Sequence, residues 1–278
     1  MKSTARVVVI SGAASGIGRA TALAFARRSD ELELVDVNES GLARVREESL
    51  AAGARRVATT HVDVAKEESV SAFAQAFAQR NARCDVLVNN AGVLVAGGFL
   101  ETEVEDWNFV FDVNLLGAVL LTRALLPGML GARQGHVINV ASASAFWNPS
   151  ALTAYGCSKY ALVGLSEALR QEVSPQGVRV TAICPSLIAT PIVDHMRLRG
   201  SLDENESRRR MRDYLERHAP KPDLVAQAIV KASMRDVAVV PVGGAAWMLY
   251  YLKRLAPGAL SRLFGVATKR LLGPDRAE

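Results

Sequence analysis

Cysteine, histidine and one-sided charge are all scarce in this sequence, and each scarcity excludes something. Three cysteines in 278 residues, Cys84, Cys157 and Cys184, are too few and too scattered for a disulfide framework, which fits a reducing, cytoplasmic setting. The histidines, His61, His136, His195 and His218, show no metal-ligand spacing, and no metal site is expected. The net charge of +5 is mild. Much of it sits at Arg208, Arg209, Arg210 and Arg212 and again at Lys253, Arg254, Arg262, Lys269 and Arg270, where a solvated helix face accounts for it. No nucleic-acid partner is expected. The apolar run that opens at Val7 leaves no space for a secretory leader ahead of it. The charge-free stretch 237–252 is broken by Pro241, Gly243 and Gly244 and falls short of the roughly 20 apolar residues that a bilayer span needs. Low-complexity tracts, internal repeats and linkers are missing too.

What is present is apolar material, half of all residues, enough for a sizeable core. It comes as short runs alternating with longer amphipathic segments. Residues 7–11, 32–36, 57–61, 86–89, 136–141 and 178–183 read as strands. Residues 16–28, 39–52, 67–79, 104–130 and 153–173 read as helices, with 104–130 as one long helix. This alternation predicts an α/β fold, a doubly wound parallel sheet of the Rossmann type with helices on both faces. Residues 192–219 read as charged loop and helix, 226–232 as a short helix and 237–240 as a last strand. The expected organisation is one catalytic, dinucleotide-binding domain over 1–244 and a C-terminal helical, amphipathic extension over 245–278.

The first strand runs into Ser11-Gly12-Ala13-Ala14-Ser15-Gly16-Ile17-Gly18 and then a helix. Glycines let the backbone turn tightly and approach a pyrophosphate, and the helix aims its free N–H groups at the anion. Gly12, Ser15, Gly16, Ile17 and Gly18 are therefore candidate cofactor contacts. Asp36 ends the second strand eighteen residues past Gly18. A carboxylate there accepts from both ribose hydroxyls and repels a 2′-phosphate; Val37 follows, and the turn itself has no cation, so NAD is favoured over NADP. Asp63 follows the third strand, and Asn89-Asn90-Ala91-Gly92 the fourth, both at the ligand edge of an open sheet.

Tyr155 and Lys159 stand one helical turn apart on one face. An ammonium beside a phenol, whose ordinary pKa is about 10, stabilises the phenolate and lets it exchange a proton with a substrate oxygen. Ser142 lies just past the fifth strand, thirteen residues before Tyr155, where both hydroxyls can converge on one carbonyl oxygen. Cys157, between the pair, reads as a buried small side chain.

Gly12-x-x-x-Gly16-x-Gly18, Asn89-Asn90-Ala91-Gly92, Asn114, Ser142, Tyr155-x-x-x-Lys159 and Pro185…Thr190, in this order and spacing, resemble the short-chain dehydrogenase/reductase family in its single-domain branch, over roughly residues 5–240. The resemblance implies that Tyr155 is the acid/base, that Lys159 lowers its pKa and holds the nicotinamide ribose, and that Ser142 orients the substrate oxygen. It implies a water-linked proton relay at Asn114, adenine contacts at Asp63 and Val64, and close cofactor approach at Asn90, Ala91 and Gly92. Pro185, Ile188 and Thr190 would border the nicotinamide. Ser11 where threonine is usual and Ser186 where glycine is usual are small departures.

The loops 93–99 and 143–152 are mostly apolar and hold no lysine or arginine, which suggests a lipophilic secondary alcohol or ketone. The aromatic and basic residues of 245–271 suit either a peripheral membrane contact or a subunit interface, and the resemblance implies a homodimer or homotetramer. The alternative to an enzyme is a non-catalytic dinucleotide sensor on the same fold, which would have no use for Ser142, Tyr155 and Lys159.

Overall fold

The computed structural model describes residues 5–200 and 204–258. Seven parallel strands form the central sheet in the order β3-β2-β1-β4-β6-β7-β9: β1 (Val7–Ser11), β2 (Glu31–Asp36), β3 (Arg56–His61), β4 (Val86–Asn89), β6 (Gly135–Val140), β7 (Val178–Pro185) and β9 (Val239–Val242). A separate short ladder pairs β5 (Val95–Ala96) with β8 (Arg197–Leu198).

Alternation along the strands decides which face each residue serves. In β1, Val8 and Ile10 join Leu32 and Leu34 of β2 on one face, under α1 (Gly16–Ala26), α2 (Glu39–Ala51) and α8 (Asp223–Ala232). Val9 and Val35 point the other way, under α3 (Glu67–Arg80), α5 (Gly117–Gly131) and α6 (Thr153–Val173). Strand order reverses between β1 and β4, so the connections diverge there and open a crevice at the carboxyl ends of the strands. That crevice holds the site.

Three elements and one residue depart from the sequence reading. The helix expected over 104–130 is α4 (Val104–Phe111) and α5 joined by a π turn at Asp112–Leu116, where Gly117 N donates to Asp112 O. By length and composition Val104–Gly131 could cross a membrane; here it lies along the sheet with Leu121, Leu125 and Met129 buried. The last strand begins two residues later than expected and contains Pro241, which an edge strand tolerates. The ladder β5–β8 is too short to leave a periodic signal. Cys157 is exposed, not buried: two helical steps from Tyr155 turn it to the opposite side of α6.

Residues 204–218 form α7 (Glu204–His218), and the chain continues from β9 into α9 (Gly244–Leu255). Ala246 and Leu249 of α9 pack with Ala141, Ala143, Ala145 and Phe146, so this helix lies against the loop that follows β6. Trp247, Met248, Tyr251 and Leu255 are exposed along its other side. The expected extension beyond 258 lies outside the described residues.

Candidate active site

Gly12 (φ +63°) and Gly16 (φ +51°) adopt left-handed backbone that a side chain would strain. A Cβ on Gly12 would stand 2.8 Å from Ala91 Cα, and one on Gly18 would stand 2.0 Å from Gly12 O. The turn is thus pressed between β4 and α1. Ser11 Oγ accepts from Asn90 N (3.0 Å) and Ala91 N (3.1 Å), while Asn90 Nδ2 donates to Ser11 O (2.9 Å) and Gly12 O (3.1 Å). The Asn90 side chain is therefore spent on holding the turn in shape. Ser15 caps α1 without a side-chain bond to the helix, and Ile17 packs on the core beneath. A cradle that would reject a Cβ, open above a helix N-terminus, fits a dinucleotide pyrophosphate.

Asp36 is fixed at the rim of this cradle. Its Oδ2 accepts from Ala14 N (3.0 Å) and its Oδ1 from Asn38 N (2.9 Å). Arg44 of α2 also reaches the turn, donating to Ala14 O at 3.5 Å, a cation that sequence spacing did not reveal. Asp63 Oδ1 accepts from Ala65 N (3.1 Å), shaping the turn after β3, and Val64 is buried against Gly117. On the far side, Pro185 ends β7, Ile188 is buried, and Thr190 abuts Gly16.

The polar residues of the centre come from the end of β6, from α6 and from the π turn. Ser142 follows β6 and Tyr155 opens α6, which brings the Ser142 hydroxyl near enough to the phenol to pull its pKa down. Ser142 Oγ also accepts from Ser144 N (3.1 Å), which fixes its rotamer. Lys159 is buried, its Nζ donating to Val140 O (3.0 Å) and lying 5.7 Å from the Tyr155 ring centroid. Gly92 leaves room there: a Cβ on it would be 3.3 Å from Asn114 Oδ1 and 3.5 Å from Lys159 Nζ. Asn114, in the π turn, accepts from Val93 N (2.8 Å) and donates to Val93 O (3.1 Å) and Ser158 Oγ (3.0 Å); Ser158 in turn donates to Tyr155 O (2.7 Å). Burial pulls the Lys159 ammonium down to about 8. Burial also pushes the Tyr155 phenol up, against the pull of the Ser142 hydrogen bond. The phenol is accordingly a proton donor at neutral pH.

Two further features escaped sequence reasoning. A buried polar chain runs from Thr122 and Asn89 through Asn139 to Ser166, with Asn89 Nδ2 to Asn139 Oδ1 at 2.8 Å and Asn139 Nδ2 to Ser166 Oγ at 2.8 Å. It locks β4, β6, α5 and α6 behind the site. Several apolar loop residues are also used elsewhere: Val95 and Phe146 are buried, Phe146 stacks edge-on to Tyr250 of α9 at 5.3 Å, and exposed Phe99 packs edge-on to Trp107. Leu94, Trp147 and Leu152 stay partly open.

Fold and site together define a dinucleotide-binding α/β protein with a tyrosine–lysine centre. Residues 6–199 match the family described as short chain dehydrogenase, and the chain belongs to the short-chain dehydrogenase/reductase family. It is 36% identical over 266 residues to the probable oxidoreductase EphD of Mycobacterium tuberculosis, which covers 91% of this chain and 44% of that protein. The chain thus spans about half the length of that relative. It is 32% identical over 277 residues to the putative oxidoreductase SadH of Mycobacterium tuberculosis, covering 98% of this chain and 96% of SadH. A Burkholderia phymatum family member in complex with NAD superposes with a TM-score of 0.83 at 29% identity over 95% of this chain and 96% of that one. A metagenomic member in complex with NADP gives 0.71 at 30% identity over 87% and 98%.

Proposed function

We propose that the chain is an oxidoreductase moving hydride between NAD, in preference to NADP, and a lipophilic secondary alcohol or ketone, with Tyr155 as acid/base. The observation that carries it is the convergence of the Ser142 and Tyr155 hydroxyls beside the buried Lys159. When bound, the nicotinamide supplies or accepts the hydride. In reduction, the Ser142 hydroxyl orients the ketone oxygen and Tyr155 gives its proton to that oxygen as negative charge develops there. Lys159 holds the ribose and stabilises the phenolate left behind. Asn114 positions the relay that returns a proton. Asp36 accepts from the ribose hydroxyls, Gly12, Ser15, Gly16, Ile17 and Gly18 border the pyrophosphate, and Asp63, Val64, Asn90, Ala91, Gly92, Pro185, Ile188 and Thr190 line the remaining groove. The partly open Leu94, Trp147 and Leu152 support an apolar substrate.

Tyr155→Phe is expected to lower turnover of a ketone panel by at least about a thousandfold while leaving the NADH Kd unchanged; retained turnover would remove the assignment. Cofactor binding without turnover by the wild type on any ketone would favour the sensor reading instead. Asp36→Ala is expected to raise NADPH affinity about tenfold, because a 2′-phosphate no longer meets a carboxylate and Arg44 stands nearby; an unchanged NADH/NADPH ratio refutes the preference. We take the working form to be a homodimer or homotetramer. The exposed stripe on α9 supports burial against another copy, and flotation on anionic vesicles would count instead for peripheral membrane contact.

A further inference from the structure

Asp106 is a wholly buried carboxylate at the start of α4, away from the tyrosine–lysine centre. Capping the helix explains only part of it: Oδ2 accepts from Glu103 N at 3.3 Å, which a neutral acceptor would also do. The charge answers to β8. Arg199 grips both oxygens, Nε to Oδ2 at 2.6 Å and Nη2 to Oδ1 at 2.6 Å, in a bidentate fork. Arg197 Nη1 lies 3.4 Å from Oδ1, and its guanidinium sits 3.6 Å from the centroid of Phe109, one helical turn on from Asp106.

Between the two arginines, Leu198 points the opposite way and is buried with Val193, Met196 and Leu215, against Leu94. The segment after β7 thus has a small core of its own, and it is tied to the body by alternate residues of one very short strand. The β5–β8 ladder spans two residues on each side, too little to hold by itself. β5 begins two residues after Val93, which Asn114 holds, and Gly97 N donates to Ala151 O (2.9 Å) in the loop leading to Tyr155. Gly97 touches Arg199 so closely that a Cβ there would stand 2.7 Å from the arginine Cβ. Whatever fixes β8 therefore fixes the walls between which a substrate must sit.

We infer that Asp106 is a positioning residue: through Arg199 and Arg197 it clamps residues 191–200 against β5 and holds the substrate side of the site in its closed shape. It touches no reacting atom. The inference rests on the reading of Ser142, Tyr155 and Lys159 as the reacting centre, and one arm of its test does not depend on turnover.

The test uses the full chain. Asp106→Asn keeps an acceptor for Glu103 N and removes the charge. With 2-decanone as probe ketone and saturating NADH, KM is expected to rise about tenfold with kcat and the NADH Kd within about twofold, because the competent closed form is less populated. Trypsin cleavage after Arg208, Arg209, Arg210 and Arg212 in the NADH-bound protein is expected to quicken about tenfold, since cleavage follows the open population. Arg199→Leu should reproduce both effects and Arg199→Lys should fall between. Unchanged KM and unchanged cleavage in Arg199→Leu overturn the clamp, and so does a joint loss of kcat and NADH binding. A wild type that binds NADH but leaves 2-decanone untouched shows that this ketone is not a substrate; the cleavage rates then decide the clamp, faster upholding it and equal overturning it. Should Asp106→Asn not fold, Arg199→Leu decides in the same terms.

Discussion

Lys159 carries a positive charge where the fold least accommodates one. Its pKa is pulled to about 8, against 10.5 for a free side chain, and that difference corresponds to roughly 3 kcal/mol of destabilisation. The sign follows from linkage: the lysine is protonated in both states below pH 8, so the penalty is complete there, and it fades between pH 8 and the unfolded value as only the unfolded chain still binds the proton. Lys159→Met is therefore expected to abolish turnover and yet stabilise the chain at pH 7, by about 1–2 kcal/mol once the loss of a donor to Val140 O is counted. Urea melts at pH 7 and pH 10 check this; the advantage must shrink at the higher pH, and a variant weaker at pH 7 would show that the ammonium is not strained. At this scale the gathering of these residues at one place was legible because chemistry restricts their combination. A tyrosine and a lysine one turn apart, a serine at a strand end and glycines in a strand–turn–helix setting have few other uses in combination. Asp106 was not legible, since an acid in the first turn of a helix reads as a cap, and only the fold brings Arg197 and Arg199 to it.

At the scale of elements, Glu33 shows how a strand can carry a charge into the core. It is buried in β2, facing α3, where alternation demands an apolar residue. Burial pushes its carboxyl up, but hydrogen bonds from Arg80, Asn81 and Arg56 outweigh burial and hold it below the usual carboxylate range. Arg80 and Asn81 end α3 and Arg56 begins β3, so one carboxylate joins three elements. A depressed folded pKa contributes stability that is present above the unfolded value and is lost as pH falls through the folded one. Glu33→Gln is expected to cost about 1–2 kcal/mol at pH 7 by removing the anion that Arg80 and Arg56 share, although Arg56 keeps Glu31, and to flatten the acid limb of the stability curve below pH 4. Thermal melts from pH 3 to 7 measure both, and an unaltered acid limb would assign the acid sensitivity to other groups. The sheet itself was readable chiefly from β1, β4 and β7, whose burial on both faces gives short apolar runs, whereas β3 buries only Val57. The π turn at Asp112–Leu116 and the ladder of β5 and β8 were not, since neither changes the hydrophobic period around it.

At the scale of the whole molecule, the boundary expected at residue 244 separates sequence styles more than physical parts. α9 buries Ala246 and Leu249 against Ala141, Ala143 and Ala145, the residues on either side of Ser142, and Tyr250 stacks on Phe146. Arg254 covers the outer face of Tyr250 at 3.9 Å, and Lys253 lies 5.3 Å from the ring of Tyr160, whose hydroxyl donates to Phe146 O at 2.9 Å. The C-terminal helix therefore backs the loop that carries the serine. A core with a dispensable tail would respond differently to truncation from a core whose Ser142 loop rests on that tail. Ending the chain at Gly243 is expected to lower stability by about 3–5 kcal/mol relative to a chain ending at Gly258, from the exposure of buried aliphatic and aromatic contacts. The shorter chain should also lose ketone turnover out of proportion to NADH binding, because the glycine turn at Gly12, Gly16 and Gly18 proposed to take the pyrophosphate lies against Ala91 and Thr190, and α9 packs instead with the Ser142 loop. Denaturant melts and fluorescence titration with NADH on the two truncations provide the comparison. Equal turnover in both would mean that the loop after β6 holds its shape without α9, and that residues from 244 onward form a separable extension after all.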